Sequence, residues 1–350
     1  MNPRLVDALL DRADREIALV DRARPLDYAA TLASLVAAWE RGAPRAPAWR
    51  YRRPPALGDL RRALAAVAES SDVDPLHAAR AAELALEAEA AELIGRPAFA
   101  AAAARRFPAP PGAEGARTSR LAQAWSRELA EPDEPALASD DEREPGSLVG
   151  ELRRELGARR LPFRVEVSRE LASLAATGAD VVLVRAGARL GPRAVRRIVL
   201  HEVVGHAEPR HRARSAPLGL FRFGAAGGAD DEEGRALLLE RRAELLDAGR
   251  RAELGRRHLA ALSVREGASF SETVELLRAR GAPLTPALAL SARVHRGGGL
   301  ARELVYLPAL ERVERALAAE PTLEPWLERG RVGLAAARAL ATRAGLSSPT

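Results

Sequence analysis

The sequence predicts an α+β fold that is predominantly helical, with a small β-sheet beside a helix that carries two histidines. Three segments place apolar and charged residues at helical spacing: residues 5–39, 57–69 and 75–94. Two short segments, 162–167 and 179–185, have the alternating or β-branched character of strands. Pro192 suits the first position of a helix, so the histidine-bearing segment is expected to begin there.

The most informative segment is 200–206, in which His201 and His206 are five residues apart and Glu202 follows the first histidine. Imidazole nitrogens suit Zn²⁺, and a neighbouring carboxylate can take a proton from a water that the metal activates. On a regular α-helix this spacing puts the two side chains about 140° apart, too far to share one ion. A single wide turn with i→i+5 hydrogen bonds would align them, and Gly205 makes that distortion less costly. On a regular helix, both histidines would be ordinary core or surface residues.

A third ligand is needed, and the acidic run 230–233 ahead of an apolar segment offers one. Such a run also favours a helix N-terminus, so capping alone would explain it. Glu233 would complete a set of two histidines and one carboxylate that leaves one coordination position open. Glu240, two turns further on, would either hold a ligand histidine from behind or be a surface charge. The glycine-rich segment 215–229 lacks the Lys-Ser/Thr of a phosphate loop and is predicted to connect the two ligand helices.

Several blocks along the chain share a pattern with a known family. They are A-W-R-Y at 48–51, A-P-L at 216–218, G-A-A-G at 224–227, E-G at 233–234, R-V-H-R-G-G at 293–298 and L-V-Y-L at 304–307. This series resembles the bacterial family named for its Q-E-G-L-A motif, which is similar to the animal microtubule-associated tyrosine carboxypeptidases. The likeness covers most of the chain. Dipeptidyl peptidase III also carries H-E-x-x-G-H with a later E-E-x-R-A, but it is much larger and fits the C-terminal blocks poorly.

The family uses H-E-x-x-x-H as its zinc motif, so the resemblance implies one Zn²⁺ per chain in a zincin-like catalytic core. The ion would be held by His201, His206 and Glu233, with Glu202 as the general base. The family's activity would be removal of a C-terminal residue, an aromatic one such as tyrosine, from a peptide or protein tail. Four departures concern substrate preference rather than the metal set: Glu232 for Gln, Arg235 for Leu, His295 for Tyr, and Arg302-Glu303 for Lys-Asp.

Two arginines and a tyrosine near the C-terminus are candidate substrate contacts. Arg293 and Arg296 suit bidentate capture of a terminal carboxylate, although both could instead be solvated charges in an arginine-rich chain. The hydroxyl of Tyr306 would support a tetrahedral oxyanion or be part of the core. The segment 293–299 is predicted to be a strand followed by a turn. Pro209 is predicted to end the histidine-bearing helix.

Composition excludes several other classes of site. The chain has 350 residues, a formal charge of +6 and no lysine, so its basic character rests on arginine alone and would attract an acidic tail. Aromatic residues make up only 4%, too few for a base-stacking platform, which makes nucleic acid an unexpected partner. No cysteine is present, so neither a disulfide framework nor a thiolate ligand can form.

The sequence therefore predicts a zinc-dependent carboxypeptidase with an N-terminal helical region, 1–145, and a catalytic region, 146–350, unless the two form one continuous domain. Loops are expected at 108–115 and 131–145 because Pro, Gly, Ser and acidic residues cluster there. The alternatives are a metallo-endopeptidase or aminopeptidase, and a non-catalytic, metal-stabilised binding or regulatory protein. Early charges and the absence of a run of about 20 apolar residues predict a cytoplasmic protein without a membrane partner.

Overall fold

The computed structural model describes residues 1–129 and 136–345, so part of the loop predicted at 131–145 lies outside the described residues. Its helices are, in chain order, α1 (Pro3–Ile17), α2 (Leu19–Arg22), α3 (Tyr28–Glu40), α4 (Gly58–Glu69), α5 (Pro75–Leu93), α6 (Phe99–Arg106), α7 (Gly112–Trp125), α8 (Leu148–Ala158), α9 (Pro192–Val199), α10 (Glu208–Arg214), α11 (Gly219–Phe223), α12 (Gly228–Arg242), α13 (Ala248–Arg265), α14 (Phe270–Ala279), α15 (Leu284–Gly299), α16 (Tyr306–Ala319), α17 (Glu324–Leu327) and α18 (Leu334–Arg343). Several begin as the sequence favours: the side chains of Asn2 and Asp74 cap α1 and α5, and a proline follows each cap.

Two small sheets accompany the helices. Their strands are β1 (Leu137–Ala138), β2 (Arg164–Ser168), β3 (Ala175–Thr177), β4 (Val181–Arg185) and β5 (Arg189–Leu190). The larger sheet has the order β2-β4-β3, with β2 parallel and β3 antiparallel to β4, and β1 pairs antiparallel with β5. Val182 and Val184 of the central strand are fully buried. The predicted α+β, predominantly helical class is confirmed, whereas the zincin-like character of the core stays a prediction.

Between α9 and α10 the backbone is a π-helix, Leu200–Ala207, so residues 192–214 form one continuous helix, the histidine helix. The wide turn that the histidine spacing demanded is therefore confirmed. The prediction that Pro209 ends this helix is wrong, since α10 runs on to Arg214. Proline cannot donate to a carbonyl one turn back. The Arg235 guanidinium compensates, because its Nη2 donates to the Gly205 carbonyl at 2.5 Å and to the Val204 carbonyl at 3.1 Å.

The segment 293–299 is also not the strand that was predicted. Arg293 lies in the regular part of α15, and the helix breaks at Arg296, where ψ is 148°. Gly297 and Gly298 follow with φ of 73° and 107°, values that favour glycine, so the turn itself was predicted correctly. The Tyr51 hydroxyl accepts a hydrogen bond from the Gly297 N–H at 2.7 Å and anchors the turn to the segment before α4.

The hydrophobic side chains form three clusters. The largest draws on helices from α1 to α18, and a second joins the sheet to α8 and the histidine helix. The third lies around α3, α14 and α15. The division of the chain near residue 145 stays a prediction. Within residues 1–129 and 136–345, no helix combines the length and the apolar character needed to cross a membrane.

Candidate metal centre

Three side chains from two helices converge where the histidine helix crosses α12. The Nε2 atoms of His201 and His206 lie 3.4 Å and 3.7 Å from Oε2 of Glu233. One ligand atom from each residue lies within 4.8 Å of the other two, and all three residues are buried. Two imidazoles and one carboxylate could therefore hold a metal ion. The π-helix is what brings the two histidines to the same side of the backbone.

Two glycines allow this convergence by letting backbones approach closely. A Cβ atom on Gly205 would lie 2.8 Å from the Cβ atom of Ala236 on α12, which real side chains do not tolerate. A Cβ atom on Gly234, next to Glu233, would lie 2.5 Å from the carbonyl of Ala309 on α16. The sequence suggested Gly205 as a residue that eases helix distortion, and the structure adds that it sets the distance between the two ligand helices.

A buried carboxylate supports His201 from behind. The Nδ1 atom of His201 lies 2.7 Å from Oε1 of Glu240, a residue with no exposed surface. Arg250 in turn donates to both carboxylate oxygens of Glu240, at 2.9 Å and 3.1 Å. Burial opposes ionisation of Glu240, but Arg250 and His201 lower its pKa to about 2. Burial alone would lower the pKa of His201, yet its hydrogen bonds to Glu233 and Glu240 raise it to about 10.

His206 has a similar arrangement on a different carboxylate. Its Nδ1 atom lies 3.2 Å from Oε2 of Glu232, close enough for an ion pair but without the geometry of a hydrogen bond. Arg210 donates to the same oxygen at 3.0 Å. Burial favours the neutral form of Glu232, but Arg210 and His206 hold its pKa well below the usual range. Both histidines thus have a carboxylate on the nitrogen that faces away from Glu233, as metal-ligating histidines usually do.

Glu202 is turned toward the sheet. It is 7% exposed, and its Oε2 accepts a hydrogen bond of 2.7 Å from the Thr177 hydroxyl at the end of β3. The same hydroxyl lies 3.1 Å from the Glu202 backbone carbonyl. A carboxylate next to the first histidine is therefore held in a defined orientation beside the cluster.

The second oxygen of Glu233 is occupied by Arg302. The Nη2 atom of Arg302 donates to Oε1 of Glu233 at 2.9 Å, and its Nη1 atom donates to the Tyr306 hydroxyl at 3.3 Å. Burial opposes the charge on Glu233, but Arg302 and the two histidines keep its pKa well below the usual range. Arg302 therefore leaves one oxygen of Glu233, Oε2, facing the two histidines.

The two candidate carboxylate-binding arginines differ in their partners. Arg293 donates to Oε1 of Glu303 at 2.5 Å and to the Tyr306 hydroxyl at 3.2 Å. Arg296 reaches the same glutamate only at 3.8 Å, and its buried Nε has no hydrogen-bond partner among residues 1–129 and 136–345. Burial lowers the pKa of Arg296 to about 10, which leaves it charged at neutral pH. Arg293 is therefore bound to protein groups, whereas Arg296 is held less tightly by Glu303.

The three candidate ligands, Glu202, Glu232 and Tyr306 line one cavity of about 720 Å³, as do Arg293, Arg296 and Arg302. Its wall also includes Phe107, Phe221 and residues 171–179 around β3, together with residues 18–21 at the start of α2. Arg257 lies over the Tyr306 ring, 5.7 Å from its centroid, and adds another cation to the wall. The arrangement joins a candidate metal site, a carboxylate and several guanidinium groups in a space large enough for the end of a peptide.

Sequence reasoning did not identify Thr177, Arg210, Arg250 or Arg257. Arg210 was within reach, because it lies one helical turn after His206 and can approach the carboxylate behind that histidine. Thr177 carries no such signal, since its contact with Glu202 depends on how the sheet packs against the histidine helix. Arg250 and Arg257 are two of many arginines on α13, and nothing in their spacing separates them from solvated charges.

One comparison with known proteins found a match. A family model described as microtubule-associated tyrosine carboxypeptidase matches residues 40–346, a range that contains every candidate ligand and all the arginines of the cluster. No curated protein and no solved structure matches the chain. Because the match extends over far more than half of the sequence, the chain belongs to the microtubule-associated tyrosine carboxypeptidase family.

Proposed function

We propose that this protein is a zinc-dependent carboxypeptidase that removes the C-terminal residue of a peptide or protein tail. The observation that carries the proposal is the buried convergence of His201, His206 and Glu233 beside the carboxylate of Glu202, in a cavity lined by arginines. The cytoplasm stays its predicted location.

The donor set fits zinc. Two imidazole nitrogens and one carboxylate oxygen are a common set for catalytic zinc, which leaves a coordination position open. The nitrogens that face away from Glu233 are next to carboxylates, Glu240 and Glu232, and such partners fix ring orientation and raise ligand basicity. When bound, zinc supplies a Lewis acid that makes a water nucleophilic near neutral pH and polarises a carbonyl group.

Glu202 would act as the general base and then as the general acid. Its carboxylate takes a proton from the attacking water and returns it to the amine of the leaving residue. The hydrogen bond from Thr177 engages Oε2, so the proton would be accepted on Oε1. Burial of the group keeps bulk water from competing for the proton.

Tyr306 and Arg296 would bind the substrate. The Tyr306 hydroxyl accepts from Arg293 and Arg302, which leaves its own O–H as a donor for a developing oxyanion. Arg296, which lines the cavity and reaches Glu303 only at 3.8 Å, would capture the terminal carboxylate, and Arg293 would hold Tyr306 and Glu303 in place next to it. Phe107 and Phe221 on the cavity wall suit an aromatic terminal side chain, such as that of tyrosine.

The test is to incubate the zinc-loaded protein with a mixed peptide library and to identify the shortened end by mass spectrometry. Loss of single C-terminal residues, aromatic ones above all, is expected. Peptides with an amidated C-terminus should resist cleavage, because they lack the carboxylate that Arg296 would bind. The Glu202→Gln variant should bind zinc normally and be inactive.

Other outcomes would point to other functions. Cleavage of amidated peptides would indicate an endopeptidase or an aminopeptidase. If no peptide is cleaved and removal of zinc mainly lowers stability, the metal serves a binding or regulatory protein. Arg15→Gln is a suitable control, because Arg15 is a largely exposed residue of α1 at the cavity rim and forms an ion pair with Asp11.

A further inference from the structure

The orientation of the Glu202 carboxylate depends on one side chain outside the histidine helix. Among the described residues, Thr177 is the one whose side chain donates a hydrogen bond to this carboxylate, at 2.7 Å. The hydroxyl comes from β3, an edge strand of the three-stranded sheet, and not from the helices that carry the metal ligands. The position of β3 therefore decides where Glu202 points.

Arg210 determines the position of this end of β3. Its Nη1 donates to the backbone carbonyls of Thr177 and Gly178, the latter at 3.1 Å. Its Nη2 donates to Oε2 of Glu232, the carboxylate that lies 3.2 Å from Nδ1 of His206. One guanidinium group thus joins the edge strand, the histidine helix and α12 behind the metal ligands.

We propose that Thr177 is a positioning residue for Glu202, and that Arg210 holds Thr177 in register with the metal ligands. The inference rests on the proposed function, because it assigns Thr177 a role in the proton transfer by Glu202. Arg210 and Thr177 form a continuous polar path from His206 through Glu232 and β3 to Glu202, so the ligand and the base keep a fixed relation.

Position matters here because a general base works only within hydrogen-bond reach of the proton that it takes. Displacement of a catalytic group by about 1 Å can cost on the order of 100-fold in rate. Without the hydroxyl, the Glu202 carboxylate could rotate toward Arg210 or toward the cavity, since both lie beside β3. Loss of the Thr177 hydroxyl should therefore reduce turnover without affecting zinc binding.

The kinetic test compares Thr177→Val, which has the same shape without the hydroxyl, with Thr177→Ser, which keeps the hydroxyl. Thr177→Val should lower kcat by about 10- to 100-fold, with KM within about threefold and zinc content unchanged. Thr177→Ser should recover most of the kcat. A fully active Thr177→Val variant would overturn the proposal, as would equal losses in both variants, which would indicate a packing role.

Thr118→Val is a matched control. The Thr118 hydroxyl also donates to a glutamate at 2.7 Å, Oε2 of Glu311, but neither residue lines the cavity. This variant should lose stability and keep its kcat. An equal loss of kcat in Thr118→Val would show that any broken Thr–Glu hydrogen bond lowers activity, and would overturn the specific role of Thr177.

A second measurement separates this inference from the proposed function. In a double-mutant cycle, the urea midpoint is measured for Thr177→Val in the wild-type background and in the Glu202→Ala background. The shift should be clearly smaller when Glu202 is absent. Equal shifts would show that the hydroxyl is not coupled to the carboxylate and would overturn the inference. Failure of the wild-type protein to cleave any peptide would count against the proposed function, and the cycle would still decide the Thr177–Glu202 link.

Discussion

Nδ1 of His201 lies 2.7 Å from Oε1 of the fully buried Glu240, while Nε2 of the same ring faces Oε2 of Glu233 at 3.4 Å. Each ring nitrogen of His201 therefore faces a carboxylate: Nε2 faces the candidate ligand Glu233, and Nδ1 faces Glu240, which holds the ring in place. Arg250 binds both oxygens of Glu240, so this support is itself held by a bidentate ion pair. A histidine fixed in this way has only one nitrogen available for a metal.

Glu240→Gln tests this support. A carboxamide still accepts a hydrogen bond from Nδ1–H, but it carries no charge for His201 or Arg250. Zinc affinity is expected to fall about 10- to 100-fold, the usual effect of losing such a partner. Competition with a zinc chelator measures the zinc affinity. Glu244→Gln, a change in the exposed turn after α12, is the control. Unchanged zinc affinity would show that Glu240 only balances the charge of Arg250.

The contact between Gly205 and Ala236 predicts an unusual effect of alanine. In an unobstructed helix, a glycine-to-alanine change stabilises by up to about 1 kcal/mol. Here the new methyl group would lie 2.8 Å from the Cβ atom of Ala236, and overpacking of this kind costs about 1–3 kcal/mol. Gly205→Ala should therefore lower the free energy of unfolding and weaken zinc binding, because the two ligand helices are pushed apart.

Ala236→Gly in the same chain should restore much of both properties, since it removes the methyl group on the other side of the contact. Thermal unfolding and zinc titration of the single and double variants would measure this. If Ala236→Gly gives no recovery, the clash with α12 is not what limits residue 205.

The sequence could predict the elements that carry the candidate metal ligands because their requirements are local. A five-residue spacing of ligands on one helix has few solutions, and the π-helix at Leu200–Ala207 is the one found. Pro192 and the β-branched run of β4 are likewise local signals, and both elements begin within two residues of where they were expected. Glu233 was accessible to prediction because two histidines need a third ligand and the acidic run 230–233 follows them in the sequence.

The incorrect predictions concern segments whose structure depends on residues distant in the sequence. Pro209 does not end the histidine helix because Arg235, 26 positions later in the sequence, takes the carbonyls that the missing N–H leaves free. Arg293 was predicted in a strand but is helical, since α15 packs against α13 and α14 and buries one face. No single-segment pattern contains these contacts. Local propensity is therefore overridden where distant segments supply a hydrogen-bond partner or a packing surface.

The unequal pairing of Arg293 and Arg296 predicts different effects of removing their charges. Arg296→Met should raise KM for peptides with a free C-terminus about 10- to 100-fold, the effect of losing one or two charge-assisted hydrogen bonds. Stability should change little. Arg293→Met should instead destabilise the fold by about 3–5 kcal/mol, because the buried Glu303 loses its nearest partner.

Steady-state kinetics and chemical unfolding of both variants would separate these effects. An unchanged KM in Arg296→Met would remove Arg296 from the substrate site. A stable Arg293→Met variant with a raised KM would exchange the two roles, so that Arg293 would be the residue that meets the substrate carboxylate.

His295 predicts a pH dependence of stability. Burial lowers its pKa to about 4, and Thr273 is its hydrogen-bond partner, at 2.9 Å from Nε2. Above pH 6.5 the ring is neutral in both the folded and the unfolded chain, so it contributes no pH dependence. Below pH 6.5 the unfolded chain binds a proton that the folded protein refuses down to about pH 4. Stability is therefore lost as the pH falls between these values, by about 2 kcal/mol at pH 4.5.

His295→Tyr and His295→Gln both remove this titration, and the glutamine variant adds no ring volume. For each protein, the free energy of unfolding is measured at pH 7 and at pH 4.5 in the presence of a chelator. The pH-dependent loss should be about 2 kcal/mol smaller in both variants than in the wild-type protein, because all other titrating groups are shared. An identical loss in all three proteins would mean that His295 takes up its proton in the folded state near pH 6.5, in spite of its burial against Phe270.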